Sequence, residues 1–261
     1  MKNIVMLIAA CFAISAQAEQ PIKVYAAGSV RPALSEAAAA YSAAKIEVVF
    51  GASGELRDRI VAGERPEVFV SANMDHPFSL EKVGLSGPTR RFGRNRLCAL
   101  VAPGIAVDSA TLLERMLDPA IRLVTSKADP SGDYAWQLFE KAERVRPGAY
   151  ATLSGKALKI IGSPDSPQPP RSVYGMVAAR GEADVFLTYC TNAREAKNEN
   201  GALQVVQLPQ ELSVSADYGM VLVEDAREEA WYFVEFLLSP SGQAILAKHG
   251  FSQAPKTIVA R

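Results

Sequence analysis

Short apolar segments alternate with amphipathic ones along this chain of 261 residues, and this alternation limits the possible folds more than any other feature. Several segments have the length and composition of buried strands: 22–25, 46–50, 68–70, 97–101, 121–125 and 185–188. Other segments place apolar residues at helical spacing: 30–41, 56–60, 134–145, 173–180 and 230–237. Strands that alternate with helices predict an α/β protein with largely parallel sheets.

Serine stands at the predicted start of a helix three times, each time beside small residues. Ser29 follows Ala-Ala-Gly, Ser53 lies within Gly-Ala-Ser-Gly, and Ser131 lies within Pro-Ser-Gly. Free backbone N–H groups and a partial positive charge at such helix ends favour anions. Each serine taken alone could be a plain N-cap of its own helix. The three together favour contact with a ligand, so the sequence predicts an anion site.

The charge balance and the N-terminus narrow the class of protein. The chain has 28 basic and 28 acidic side chains, which is a poor match to a nucleic-acid-binding protein. Lys2, an apolar stretch and Ala16-Gln17-Ala18 have the form of a signal peptide over residues 1–18. The apolar stretch is too short for a membrane anchor, and a lipoprotein site at Cys11 fits less well. We therefore expect an exported, soluble protein.

Cys98 and Cys190 remain after the signal peptide. They could pair in an oxidising compartment, but the sequence favours two separate buried thiols, because a domain of this size does not need a disulfide. There is no Cys-x-x-Cys motif, and we expect neither a cation site nor a cofactor.

An enzyme is a weaker interpretation. His76 and His249 are the only histidines, and neither has a candidate nucleophile next to it in sequence. Ser42-Ala-Ala-Lys45 matches a β-lactamase-type motif but lacks its companion motifs. The sequence therefore predicts a protein without catalytic activity.

Taken in order, a set of segments resembles the periplasmic molybdate-binding proteins of ABC transporters. The segments are Val24–Ser29, Phe50–Gly54, Glu67–Ala72, Arg96–Pro103, Pro130–Ala135, Phe186–Tyr189 and Ser239–Phe251. The resemblance covers nearly the whole chain after the signal peptide, although no single segment is specific.

The resemblance implies a two-lobed, type II periplasmic binding protein fold of the Venus-flytrap kind. Residues 19–94 and 208–261 would form one lobe and residues 95–207 the other, with a hinge near 93–97 and a return crossing near 205–210. The protein would be a periplasmic monomer that delivers molybdate or a similar oxyanion to a membrane permease and its ATPase.

The resemblance also implies which residues hold the anion. Ser29 and Ser53 would donate hydroxyl and backbone N–H hydrogen bonds from the first lobe. Ser131 and Val173 would donate backbone N–H groups from the second lobe, and Tyr189 its hydroxyl. Val173 could instead be a core residue, and Tyr189 an ordinary half-buried tyrosine. A site built only of donors suits molybdate, which has no proton to give.

Charged residues near these positions depart from the family pattern, as does Ser131 itself, which replaces a common alanine. Arg31 and Arg57 could contact the anion, but surface pairing with Glu55 or Asp58 is the simpler expectation. Asp133 would repel an anion unless it faces away or pairs with an arginine. Tungstate, sulfate or phosphate therefore stay open as ligands. Ferric iron, a polyamine or a sugar would be alternatives on the same fold.

Overall fold

A computed structural model describes residues 20–126, 130–161 and 172–252. The predicted signal peptide, residues 1–18, lies outside the described residues. The strands are β1 Ile22–Ala27, β2 Ile46–Gly51, β3 Val68–Ser71, β4 Arg90–Val101, β5 Leu123–Ser126, β6 Leu158–Ile161, β7 Val185–Tyr189, β8 Gln204–Gln207 and β9 Ser215–Leu222. The helices are α1 Arg31–Ala40, α2 Ser53–Val61, α3 Asp75–Lys82, α4 Leu112–Leu117, α5 Pro130–Val145, α6 Ala149–Lys156, α7 Val173–Ala179, α8 Cys190–Glu199, α9 Glu228–Leu238 and α10 Pro240–Lys248. None of the helices described is long and apolar enough to cross a bilayer.

The strands form one curled mixed sheet in the order β2-β1-β3-β9-β4-β7-β5-β6, with β8 beside β4. The outer pairs β1–β2, β1–β3, β5–β6 and β5–β7 are parallel. The central strands β4 and β9 run antiparallel to all their neighbours. The predicted α/β class is confirmed, and its parallel pairs lie on both sides of an antiparallel centre.

Strand β4 divides the molecule into two halves. Its residues 90–96 pair with β9, whereas its residues 97–101 pair with β7 and β8. We call β1–β3, β9, the 90–96 part of β4 and their helices α1–α3, α9 and α10 the first half. The second half is β5–β8, the 97–101 part of β4 and helices α4–α8. The lobe boundaries at residues 94 and 207 stay a prediction.

Local capping residues mark both ends of the C-terminal helix α10. Ser239 caps α10 by accepting a hydrogen bond from the Gly242 N–H at 3.3 Å, and Pro240 is the first helical residue. Gly250 follows α10 with a φ of 95°, a left-handed conformation that favours glycine.

The expectation of two separate thiols is wrong, because Cys98 and Cys190 form a disulfide with a Cα–Cα distance of 4.8 Å. Cys98 lies on β4 opposite Thr188 of β7, and Cys190 comes two residues after Thr188, directly after β7 ends. The pairing of β4 with β7 thus brings together two cysteines that are 92 residues apart. The bond ties the second half of the sheet to the start of α8.

Candidate functional site

Ser29 and Ser53 lie at the carboxyl ends of adjacent parallel strands. β1 and β2 are paired up to Ala27 and Gly51, so the turns after both strands meet at one edge of the sheet. Ser29 lies in a short 3₁₀ turn between β1 and α1, and Ser53 is the first residue of α2. Both side chains are buried. This edge of a parallel sheet is where α/β proteins bind ligands.

The two serines are not plain helix caps. Neither the 3₁₀ turn, α1 nor α2 has a side-chain cap hydrogen bond, and the residue before α2 is Ala52. The Ser53 hydroxyl oxygen instead accepts a hydrogen bond from the Ala72 N–H at 3.0 Å. A serine hydroxyl keeps one proton to donate, and no described residue accepts it from Ser53.

Ser29 ends a buried chain of hydrogen bonds that begins at β4. The Asn95 side-chain amide donates to the Tyr218 hydroxyl at 3.2 Å and to the Thr191 hydroxyl at 2.9 Å. The Tyr218 and Ser29 hydroxyl oxygens lie 2.8 Å apart. The Arg96 N–H donates to the side-chain oxygen Oδ1 of Asn95 at 2.9 Å and so fixes which end of the side-chain amide faces Tyr218. This series of hydrogen bonds fixes the position of the Ser29 hydroxyl oxygen from the side of β4.

Tyr189 reaches from the second half of the molecule to the first. It is the last residue of β7 and is fully buried. Its hydroxyl donates to the Ala72 carbonyl oxygen at 3.0 Å, and its ring lies 5.4 Å from that of Tyr218. Because Ala72 also donates its N–H to Ser53, both polar backbone groups of one residue connect Ser53 with Tyr189.

Ser131 lies in the turn of α5 that packs on the end of β5. Ser131 is buried in the first turn of α5, whose Tyr134 ring lies 6.2 Å from the Tyr189 ring. A Cβ on Gly132 would lie 2.3 Å from the Ser126 carbonyl oxygen, so glycine lets this turn pack on the end of β5. Residues 127–129, between them, lie outside the described residues.

Val173 is the first residue of α7, and its side chain packs against a buried apolar cluster of the second half. The N-cap of that helix is Ser172, which accepts from the Gly175 N–H at 3.5 Å. Among the described hydrogen bonds, none links Val173 with the other predicted site residues. The role of the Val173 backbone N–H stays a prediction.

The charged residues near the site have other partners. Arg57 forms an ion pair with Asp58 at 2.6 Å, as expected from the sequence. The Arg31 guanidinium lies 4.3 Å from the centre of the Phe50 ring. Burial lowers the pKa of Arg31, and Glu195 of the second half raises it. These arginines therefore have contacts that do not involve an anion.

His76 is a site neighbour that sequence reasoning missed. A Cβ on Gly54 would lie 3.7 Å from the His76 ring, so the imidazole lies beside the residue after Ser53. Burial lowers the pKa of His76, and Arg57 lowers it further, whereas Asp75, Asp58 and Asp133 raise it. Tyr218, Asn95 and Ala72 were missed as well. Tyr218 and Asn95 lie in none of the segments that carry the resemblance, and Ala72 ends one of them without a role assigned to it there. Only the fold shows the contacts of these residues.

Asp133 is exposed, and its charge acts across the two halves. Burial raises the pKa of Tyr134 to about 12, and Asp75, Asp217 and Asp133 add to that rise. No ion pair of Asp133 occurs among the described residues. Nor do His, Cys, Asp and Glu form a group of three or more that could hold a metal ion in residues 20–126, 130–161 and 172–252.

Comparisons with known proteins agree with this architecture. An uncharacterized protein of Pasteurella multocida is 31% identical over 245 residues, which are 90% of this chain and 100% of the relative. The periplasmic molybdate-binding protein of Azotobacter vinelandii has a TM-score of 0.71 at 17% identity, covering 90% of this chain and 100% of that one. The sulfate-binding protein of Mycobacterium tuberculosis has a TM-score of 0.74 at 18% identity, covering 90% and 88%. At these identities the solved structures share the fold.

Residues 22–252 match the family described as bacterial extracellular solute-binding protein. The description of this family names a solute-binding role. The chain belongs to the bacterial extracellular solute-binding protein family.

Proposed function

We propose that this protein captures a tetrahedral dianion, molybdate foremost, between its two halves and delivers it to an ABC importer. Tungstate, which has the same charge and shape, is included. The family match supports a solute-binding role. The fold shared with a molybdate-binding and a sulfate-binding protein supports an oxyanion as the solute.

The observation that carries the proposal is the meeting of Ser53 and Tyr189 at Ala72. One hydroxyl comes from each half, and both are buried within hydrogen-bond distance of the same residue. Ser29 lies at the next strand end along the same edge of the sheet. These side chains are neutral, so they and the helix starts would neutralise the anion with dipoles rather than with a counter-ion.

A site of this composition favours an anion without protons. Hydroxyl and N–H groups would donate to every oxygen of a fully ionised dianion. A protonated phosphate would bring a donor of its own, and leaving that donor without an acceptor costs roughly 1–3 kcal/mol. Sulfate is the second candidate, because it is also unprotonated near neutral pH and because a sulfate-binding protein shares the fold. The size of the closed site would then separate sulfate from the larger molybdate.

We further propose that binding closes the two halves around the anion. Tyr189 donates to Ala72 in the structure. In the bound state the Tyr189 hydroxyl would donate to an anion oxygen instead of to the Ala72 carbonyl oxygen. The protein would act as a periplasmic monomer, and the closed form would be recognised by the permease and its ATPase.

A melting experiment with a ligand panel tests the proposal. The panel contains molybdate, tungstate, sulfate and phosphate, with ferric citrate, spermidine and a sugar mixture for the other ligand classes. A ligand at about 100 times its Kd stabilises the folded state by about 2.7 kcal/mol, so the melting temperature should rise with concentration. We expect molybdate and tungstate to raise it most. Stabilisation by spermidine, ferric citrate or sugars alone would overturn the proposal.

A further inference from the structure

The residues around Asn95 place positive charge behind the proposed anion site. Successive side chains of a strand point to opposite faces, so Arg94 and Arg96 lie on the face of β4 opposite to Asn95. On that face the structure has a cavity of about 560 Å³ lined by Arg94, Arg96, Arg194, Ser215 and the segment Gly250–Ser252. We call this cavity the arginine pocket. Its volume is within the range of about 300–1,000 Å³ that is usual for small-molecule sites.

Carboxylates do not balance the charge of the arginine pocket. The Asp217 carboxylate accepts hydrogen bonds from Arg94 at 2.7 and 3.3 Å and also pairs with Arg91 at 3.1 Å. Arg96 and Arg194 form no ion pair with any carboxylate in the described part of the chain. One carboxylate therefore serves two guanidinium groups, and two further guanidinium groups have none.

Glu195, which follows Arg194 in α8, does not neutralise this surplus of positive charge. Glu195 is half-buried, and burial raises its pKa, as does Glu199, whereas Arg31 and His249 lower it. Glu195 forms no ion pair in the described part of the chain, with Arg96 and Arg194 included. Arg96 and Arg194 are both exposed, so their N–H groups are open to a ligand from solution.

The backbone around Gly250 fits a site built from guanidinium groups. A Cβ on Gly250 would lie 2.9 Å from a guanidinium nitrogen of Arg194, so glycine allows Arg194 to lie against the chain. Ser252 and Arg94 exchange backbone hydrogen bonds at 2.9 and 3.0 Å, which fix the facing wall. Walls from α8 of the second half and from the end of the first half thus meet at β4.

Guanidinium groups match the oxygens of phosphate in bidentate geometry. We propose that the arginine pocket is a second anion site that binds a free polyvalent anion carrying phosphate groups. We call the anion site proposed at Ser29, Ser53 and Tyr189 the front site. The proposal for the arginine pocket does not depend on which solute the front site takes.

Titration calorimetry with pyrophosphate tests the proposal on the whole protein. The pocket variant is Arg96→Gln with Arg194→Gln. The matched control is Lys82→Gln with Arg144→Gln, which removes two positive charges from exposed positions elsewhere. We expect saturable binding to the unchanged protein, roughly tenfold or more weaker binding to the pocket variant, and unchanged binding to the control. A conservative pair, Arg96→Lys with Arg194→Lys, keeps the charge but loses the bidentate geometry, so its affinity should be intermediate.

A further variant separates the pocket from the front site. Ser29→Ala with Ser53→Ala should leave pyrophosphate binding unchanged, because neither serine lines the pocket. Binding to the unchanged protein should weaken as salt rises, since exposed guanidinium groups are screened. Equal weakening in the control, no weakening in the pocket variant, loss of binding in the serine variant, or no saturable binding would each overturn the proposal.

Discussion

The two halves of the molecule hold their predicted ligand donors by different means. In the first half, a hydrogen bond between the Tyr218 and Ser29 hydroxyls places the Ser29 oxygen, and a hydrogen bond from the Ala72 N–H places the Ser53 oxygen. These contacts are polar and neutral, and they join residues as far apart as 189 positions in sequence. The contact with Ala72 fixes the Ser53 oxygen without using the serine proton.

In the second half, a covalent bond and ring packing do the same work. Tyr189 is followed directly by Cys190, which is linked to Cys98 of β4. The Tyr189 ring lies 6.2 Å from the Tyr134 ring and 5.4 Å from the Tyr218 ring. Substitutions in the two halves should therefore have different effects. Removing the disulfide of the second half should mainly lower stability, whereas removing a serine hydroxyl of the first half should mainly lower ligand affinity.

Removal of the disulfide should have the largest effect. Cys98→Ala with Cys190→Ala opens a link between residues 92 positions apart. Loss of such a bond releases chain entropy in the unfolded state, and we expect the free energy of unfolding to fall by about 2–5 kcal/mol. Urea denaturation measures this change. A loss no larger than that of Ser154→Ala, a change at a surface helix, would contradict the comparison.

The Ser53→Ala variant tests the ligand contact proposed for the first half. It removes a donor to the proposed anion, and we expect molybdate affinity to fall by roughly 1–3 kcal/mol in calorimetry. Ser154→Ala is the matched control, because its hydroxyl donates to Tyr150 within α6, and its affinity should equal that of the unchanged protein. If Ser53→Ala is destabilised but binds with unchanged affinity, Ser53 only supports Ala72 and is no ligand donor.

Tyr189→Phe probes the contact between the halves. The change keeps the ring packing but removes the hydrogen bond to the Ala72 carbonyl oxygen. We expect the free energy of unfolding to fall by about 0.5–1.5 kcal/mol, well below the effect of losing the disulfide. Anion affinity should fall as well if the hydroxyl moves to the ligand. Unchanged affinity in this variant would remove Tyr189 from the proposed site.

The sequence was sufficient for most of the short apolar strands, but it missed the edge strand β6, the strand β8 and part of the centre of the sheet. β1, β2 and β3 are short apolar runs, so their pattern predicts them directly. The 90–96 part of β4 is rich in arginine. These polar residues interrupt the apolar pattern that would predict a strand, although Phe92 and Asn95 are buried. β9 was missed as well, and its buried residues alternate with polar ones such as Asp217. A strand with one solvated face is hard to recognise from its own sequence, because its place in the sheet depends on the neighbouring strands.

The site shows the same limit. Ser29 and Ser53 could be proposed because small residues surround them at strand ends. Tyr218 and Asn95 could not, because only the crossing of β4 and β9 brings them to Ser29. The disulfide was missed for a related reason, since sequence spacing carries no information on whether two strands are neighbours.

His76 offers the smallest and most local test of the first half. Burial and Arg57 lower its pKa in the folded protein, against an opposing effect of nearby aspartates. A histidine in the unfolded chain has a pKa of about 6.5. As pH falls below that value, the unfolded state takes up the proton more readily than the folded state, so the stabilising contribution present at higher pH is lost. Between about pH 7.5 and about pH 5, the free energy of unfolding should therefore fall more steeply for the unchanged protein than for His76→Gln. Parallel curves from urea denaturation would show that the imidazole beside Gly54 is not held in its neutral form by the fold.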